Sequence, residues 1–160
     1  MHKLKSILRD ALPMRYQVPI KYFYALFVGA KEPEMGLLQY IIFKDSRAID
    51  VGANRGIYSY LITRFKCKLE IFEPNEDCLK LLRSWSFNMP NVSIHPFGLS
   101  SENGEANLHI PIDESGVEHD ASASIQNNLF ANSRDQKIQI KSLDSLLWSL
   151  YPWLISDTIS

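Results

Sequence analysis

The sequence predicts an α/β fold in which a mostly parallel sheet is flanked by helices. Short apolar runs alternate with helix-like segments in the order strand, helix, strand, helix, strand, which favours parallel pairing through crossover helices. The chain has 160 residues, of which 46% are hydrophobic and 22% charged, as in about one globular domain. Internal repeats and low-complexity tracts are absent from the sequence, which excludes a disordered or fibrous chain.

Residues 1–46 are predicted to form an N-terminal helical segment. Its longest apolar run, Tyr22 to Val28, is far shorter than the roughly 20 residues that span a bilayer. We interpret this run as a buried or amphipathic helix, with a membrane-surface role as the less favoured alternative. Glu34 to Phe43 has helical spacing, and Pro33 suits the first turn of that helix.

Three strands and two helices are predicted to follow. They are the strands Arg47 to Val51, Leu69 to Glu73 and Val92 to Phe97, and the helices Ile57 to Phe65 and Glu76 to Ser86. Asn75 is predicted to cap the second of these helices. The inward side chains of the first helix are expected to be Ile57, Tyr60, Leu61 and Phe65. Those of the second are expected to be Leu79, Leu81, Leu82 and Trp85.

The pattern changes in the last third of the chain. Glu105 to Ile112 and Lys137 to Ile140 alternate between apolar and polar residues, which predicts strands, and Leu143 to Leu150 is predicted to be a helix. The apolar face of the first strand is expected to carry Ala106, Leu108, Ile110 and Ile112. The polar stretch Asp113 to Asp135 is too long for a structureless connection, and we leave open whether it is a substrate-facing flap or a surface excursion.

Charge and cysteine content exclude several classes of protein. The net charge of −1 gives no general attraction to nucleic acid, so we expect no nucleic-acid partner. Cys67 and Cys78 are too few for a disulfide scaffold, and no histidine cluster completes a zinc site. Met1 to Arg9 is basic but is not followed by the apolar region of a signal peptide. We therefore expect a cytoplasmic location, reduced thiols, no metal and no transmembrane segment.

A glycine-containing loop, Asp50 to Gly56, is the first feature that predicts a ligand site. It follows a predicted strand and opens a predicted helix, whose free N–H groups and dipole favour an anionic group. The two glycines allow a sharp turn and a close approach of the backbone to a ligand. The spacing is G-x-x-x-G, which matches neither the dinucleotide-binding motif nor the nucleoside-triphosphate motif.

An acidic residue, Glu73, ends the next predicted strand, 23 residues after Asp50. A carboxylate at this position can accept hydrogen bonds from the two hydroxyl groups of a ribose. Asp50 places a negative charge beside the loop, which disfavours a pyrophosphate and suits an ammonium or sulfonium cation. S-adenosylmethionine carries both cations, together with a ribose and a carboxylate.

Four segments together resemble the FkbM-like methyltransferases. The segments are Ala48 to Tyr60, Ile71 to Asn75, Phe97 to Ser100 and Ile140 to Leu146. The glycine motif alone is typical of class I methyltransferases in general, whereas its combination with F-E-P-N and S-L-D-S-L indicates this family. The resemblance extends from Pro19 to about Leu147.

The resemblance implies a Rossmann-like fold, S-adenosylmethionine as methyl donor, and O-methylation of a sugar, glycan or other small hydroxylated acceptor. The residues that it assigns to cofactor binding are Asp50, Gly52, Ala53, Asn54, Gly56, Tyr58, Glu73, Pro74, Asn75, Gly98 and Leu99. Among these, the glycine loop would line the methionine end, Glu73 would hold the ribose, and Gly98 and Leu99 would border the adenine.

The sequence departs from the family after Asp144, where such proteins continue into a strand with a K-I-D-V-E-G-like motif. Residues 47–160 are therefore expected to be the N-terminal part of the cofactor-binding domain, with its C-terminal strands missing. Arg47 to Val51 would then be an exposed sheet edge, which favours a homo-oligomer through that edge. The aromatic residues Trp148, Tyr151 and Trp153 are interpreted as core anchors for the missing part.

No catalytic residue is assigned. His95, His109 and His119 are candidate general bases by residue type, but we interpret His95 as structural and His109 as solvated. His119 is the best placed of the three to act as a base or to bind a metal, although a solvated acidic loop is the favoured interpretation. A second hypothesis is a truncated, inactive or partner-dependent methyltransferase-like fragment. A third is a nicotinamide-dependent oxidoreductase, which shares the strand-end acid but requires a different glycine spacing.

Overall fold

The computed structural model of the chain describes residues 12–29, 32–113, 116, 118–125 and 132–150, with backbone only at 121 and 147–150. The chain divides into two compact units, Met1–His95 and Pro96–Ser160. The helices are α1 (Met14–Phe27), α2 (Leu38–Ile41), α3 (Ile57–Thr63), α4 (Glu76–Ser86) and α5 (Leu143–Leu150). The strands are β1 (Arg47–Val51), β2 (Lys68–Phe72), β3 (Val92–His95), β4 (Gly98–Ser100), β5 (Gly104–Pro111) and β6 (Ser133–Ser142). Two 3-10 turns lie at Pro33–Gly36 and Asp120–Ser122.

The first unit contains a three-stranded parallel sheet in the order β1-β2-β3. Asp50 is in register with Ile71, and Phe72 is in register with both Val51 and His95. The carboxyl ends of the three strands therefore meet at one edge of the sheet. The predicted α/β class, with helices beside a parallel sheet, is confirmed for this unit.

The core of the first unit forms where α1 packs on α3 and α4. Val18 of α1 is fully buried in one cluster with Ile62, Leu69 and Leu82. The predicted inward face of α4 is confirmed, because Leu79, Leu81, Leu82 and Trp85 are all buried. A helical period of apolar residues was sufficient to orient this helix.

The predicted inward face of α3 is wrong in part, because Ser59 and Ile62 are its buried residues. Ile57, Tyr60 and Leu61 are only half-buried. The helix contacts both the sheet and α1, and Tyr60 packs against Tyr22 with ring centroids 5.0 Å apart. With two neighbours, α3 distributes its apolar side chains over a wide arc rather than turning them all inward.

The segment Glu34 to Phe43, predicted as one helix, is interrupted. A 3-10 turn at Pro33–Gly36 precedes the four-residue helix α2. Gly36 lies at the interruption, where its missing side chain weakens helical continuity. Pro33 stands at the start of the turn as predicted.

The second unit contains a mixed sheet in the order β4-β6-β5. β4 is parallel to β6, whereas β5 is antiparallel to it. Leu108, Ile110 and Ile138 form its buried cluster, so the alternation predicted for the two longer strands is confirmed.

The prediction of one third strand up to Phe97 is wrong, because β3 ends at His95, before Pro96, which cannot donate to a ladder. The three residues of β4 then begin the second sheet.

Parts of the predicted polar stretch Asp113 to Asp135 lie outside the described residues. Where it is described, a bidentate ion pair joins Arg134 to Glu118, with N–O distances of 2.7 and 2.8 Å. The basic start Met1 to Arg9 also lies outside the described residues, as do the aromatic residues Tyr151 and Trp153 and the side chain of Trp148.

Strand β1 lies at the end of the first sheet, as predicted. Ile49 and Val51, which share one face of this strand, are 41% and 57% exposed. Within the described residues, no helix is long and apolar enough to cross a membrane.

Candidate functional site

The loop between β1 and α3 is held against the end of β2 by backbone hydrogen bonds. The N–H of Gly52 donates to the carbonyl of Phe72 at 2.8 Å, and the N–H of Gly56 donates to that of Ala53 at 2.8 Å. Gly52, Asn54 and Gly56 have positive φ angles of 69°, 51° and 76°. This combination makes the tight loop that the sequence predicts.

The two glycines of the loop have different surroundings. A Cβ atom at Gly56 would lie 2.7 Å from Leu82 Cδ2 and 3.2 Å from Val18 Cγ1. Gly56 therefore permits close packing of the helices. A Cβ atom at Gly52 would meet no described atom within 4 Å. Gly52 is exposed and leaves its backbone accessible to a ligand.

Glu73 joins the loop to the end of the neighbouring strand. Its Oε2 accepts a hydrogen bond from the N–H of Asn54 at 2.5 Å, and its Oε1 accepts one from the N–H of Asn75 at 2.8 Å. The side chain is only 5% exposed. The predicted proximity of the acid to the loop is thus observed, and both of its oxygens bind backbone amides.

Asp50 lies at the end of β1 and is bound by a residue that the sequence analysis did not single out. Ser59 Oγ donates a hydrogen bond to Asp50 Oδ2 at 2.5 Å. Burial raises the pKa of Asp50 above its usual value, and the hydrogen bonds from Ser59 oppose that shift. The signal that could have identified Ser59 is a serine on a short apolar helix directly after the glycine loop.

Asn75 caps α4 as predicted, because its side-chain oxygen accepts a hydrogen bond from the N–H of Asp77 at 3.0 Å. Pro74 lies between this cap and Glu73. The cap and the glycine loop are also connected through α4, since Cys78 Sγ donates to Asn54 Oδ1 at 3.7 Å. The acid, the loop and the start of α4 therefore form one hydrogen-bonded group.

Tyr58 is another predicted cofactor-binding residue, and its hydroxyl group forms a hydrogen bond within the protein. It donates a hydrogen bond to the Glu32 carboxylate. This bond, together with some burial, raises the pKa of Tyr58 to about 12. The phenol therefore stays protonated at neutral pH and connects α3 to the segment before the 3-10 turn.

His95 has the surroundings of a structural histidine, in agreement with its interpretation from the sequence. Its ring stacks on Phe72 with centroids 4.5 Å apart, and Nε2 lies 2.8 Å from Oε2 of Glu70. The backbone carbonyl of His95 also accepts a hydrogen bond from the N–H of Glu73. These contacts stiffen the end of β3 beside the acid.

The remaining predicted residues belong to the second unit. Gly98 and Leu99 lie on β4. The prediction that His109 is solvated is wrong, because its side chain is only 16% exposed. β5 and β6 pair His109 with Asp135, and this places His109 Nδ1 2.6 Å from Asp135 Oδ1. His119 is exposed, with Nε2 3.0 Å from Asp113 Oδ2. No group of three or more His, Cys, Asp or Glu side chains suited to a metal ion occurs in the described part of the chain.

Comparisons with known proteins leave the family open. A scan against protein-family models gives no match, and no curated protein matches the chain. The methyltransferase resemblance and the cofactor roles of the individual residues therefore stay predictions.

Proposed function

We propose that the chain is an S-adenosylmethionine-dependent methyltransferase whose first unit binds the methyl donor. The observation that carries this proposal is the direct contact between Glu73 and the backbone of Asn54. It joins an accessible glycine turn and a buried acid at adjacent parallel strand ends, the place where open α/β sheets bind ligands.

The residues of the first unit suit the chemistry of the donor. Gly52 leaves room for the methionine end, and Asp50 supplies a carboxylate for its ammonium group. Glu73 supplies the carboxylate that would accept hydrogen bonds from the ribose hydroxyls. When bound, S-adenosylmethionine supplies a methyl group that an acceptor hydroxyl oxygen takes as the carbon–sulfur bond breaks and the acceptor proton leaves.

The contribution of this chain to the reaction is mainly alignment. Holding the donor in a fixed orientation supplies much of the rate gain of a direct displacement. The hydrogen bonds that fix the glycine loop to Phe72 and Glu73 provide that rigidity. The proposed acceptor is a hydroxyl group of a sugar, glycan or similar small molecule.

Calorimetric titration with S-adenosylhomocysteine tests the proposed donor site. We expect saturable binding by the folded chain and loss of binding in Gly52→Val, whose side chain would enter the accessible turn. Glu73→Gln should weaken binding, because it replaces one acceptor oxygen by a donor. Gly29→Ala is a matched control, since Gly29 has a similar φ of 68° and no described atom within 4 Å of its added Cβ.

Two results would overturn this assignment. One is a folded wild-type chain that does not bind S-adenosylhomocysteine. The other is wild-type affinity in both Gly52→Val and Glu73→Gln, with circular dichroism showing that the two variants are folded.

The exposed strand β1 supports a second candidate, a partner-dependent module that completes its sheet with another chain. Ile49 and Val51 present apolar side chains on a strand at the end of the sheet order. Such edges pair readily with other strands. Cofactor binding that appears only in an oligomer would favour this candidate.

A further inference from the structure

Helix α1 has an apolar face opposite its buried face. Val18 and Tyr22 point into the core. The opposite side carries Tyr16, Ile20, Phe23 and Phe27, spaced by four, three and four residues. Tyr16, Ile20 and Phe23 are 44% to 53% exposed, and Phe27 is 90% exposed. A surface helix ordinarily presents polar residues on this side, so this stripe, the outer face of α1, requires a separate explanation.

The sequence of α1 and of the residues that precede it is rich in basic residues. The helix contains Arg15 and Lys21 and no acidic residue. Residues 1–29 contain five lysines and arginines and one aspartate, a net charge of +4 in a chain whose total is −1. The guanidinium carbon of Arg15 lies 4.7 Å from the centroid of the Tyr16 ring, which places a cation beside the apolar stripe.

We propose that the outer face of α1 binds the surface of an anionic membrane. Aromatic side chains enter the boundary between headgroups and acyl chains, and neighbouring cations are attracted to acidic lipids. Tyrosine suits this boundary because its ring is apolar while its hydroxyl stays hydrated. An apolar groove on another protein could cover the exposed side chains of this face, but it would not explain the excess of basic residues. The occupant that fits both features is an anionic lipid surface.

Vesicle co-sedimentation of the full chain tests this proposal. We expect binding to vesicles of equal parts phosphatidylglycerol and phosphatidylcholine, weak binding to phosphatidylcholine alone, and weaker binding as salt is raised. Phe27→Ser removes the most exposed ring and should lower the partition coefficient about tenfold. Arg15→Glu should lower binding to the anionic vesicles only. Ile125→Ser, which changes an exposed apolar residue of the second unit, is the matched control and should bind as the wild type does.

The measurements separate the possible outcomes. Because Phe27 is almost fully exposed, its substitution should leave the thermal transition unchanged, so lost binding would not be due to unfolding. Absence of binding to either type of vesicle would overturn the proposal. So would equal binding by wild type and Phe27→Ser. Self-association that disappears in Phe27→Ser, without any vesicle binding, would identify a protein as the occupant instead.

Discussion

Gly52 and Gly56 lie in the same loop, yet an added methyl group has different consequences at the two positions. Both have positive φ angles, which cost an L-residue roughly 1–2 kcal/mol. At Gly56 the methyl would also collide with Leu82 and Val18, which adds roughly 1–3 kcal/mol. Urea denaturation should therefore show a loss of about 2–5 kcal/mol for Gly56→Ala and about 1–2 kcal/mol for Gly52→Ala. Equal losses would contradict the close packing at Gly56.

We expect Asp50 to make the folded protein less stable as pH rises, which is the reverse of the effect of an ordinary ion-paired acid. Its pKa is raised in the folded protein, so the folded state binds more protons than the unfolded state between the two pKa values. This contribution to the free energy of unfolding is favourable at low pH and is lost as pH rises from the unfolded pKa, near 3.8, through the raised folded value. Asp50→Asn should remove that dependence.

Denaturation of wild type and Asp50→Asn across this pH range measures the effect. We expect the variant to gain stability relative to wild type as pH rises, because asparagine avoids the burial of a charge. The same variant should bind S-adenosylhomocysteine more weakly at neutral pH, since the proposed partner of the ammonium group is lost. Ser59→Ala removes the side-chain hydrogen bond but keeps the carboxylate, and so distinguishes loss of charge from loss of geometry.

The sequence predicted which residues lie together at the site, but it did not predict the hydrogen bonds that they make. The spacing of Asp50 and Glu73 places both at neighbouring strand ends, which follows from one strand-helix-strand step. The partners of their oxygens depend on turn geometry and helix rotation. Neither the amides bound by Glu73 nor the hydroxyl bound by Asp50 could therefore be derived from residue spacing.

At the scale of single elements, the cap of α4 makes a measurable contribution. Asn75→Ala removes the acceptor for the N–H of Asp77 and should destabilise the protein by about 1 kcal/mol in urea denaturation. Asn75→Ser retains a capping oxygen and should lose much less. If the serine variant is as unstable as the alanine variant, the side chain has a structural role other than capping.

Helices α4 and α3 show why some elements are predictable and others are not. For α4, an asparagine cap and a helical period of leucines fix both the start and the buried face. α3 has seven residues, begins after a left-handed glycine and contacts elements on two sides. The rotation of α3 about its axis is set by tertiary contacts, including that of Ser59 with Asp50. Such contacts cannot be predicted from the periodicity of the helix sequence.

At the scale of the whole molecule, the exposed edge of the first sheet is expected to control association. Replacing both Ile49 and Val51 with lysine should shift the chain towards monomer, because charged side chains oppose edge-to-edge strand pairing. Sedimentation over a range of concentrations measures this shift. Phe87→Lys introduces a charge at an exposed site outside the strands and is the control. Equal association of all three proteins would exclude β1 as the interface.

The division into two sheets was not predicted, although the alternating strands were. Three residues form β4, too few to show a period, and their pairing partner Ile140 to Ser142 lies about 40 residues later in the chain. Pairing over such a distance depends on tertiary contacts rather than local pattern. The parallel sheet of the first unit was easier to predict because each strand is followed by the helix that connects it to the next.

The thiol beside the glycine loop is a native reporter of the loop, with no engineered residue needed. Cys78 is almost fully buried and its sulfur contacts Asn54, whereas Cys67 is equally buried and donates to the carbonyl of Ile62. A ligand that displaces Asn54 should change the alkylation rate of Cys78 and leave that of Cys67 unchanged. Mass spectrometry of the alkylated protein would then report, within one molecule, how often the loop opens and whether the donor closes it.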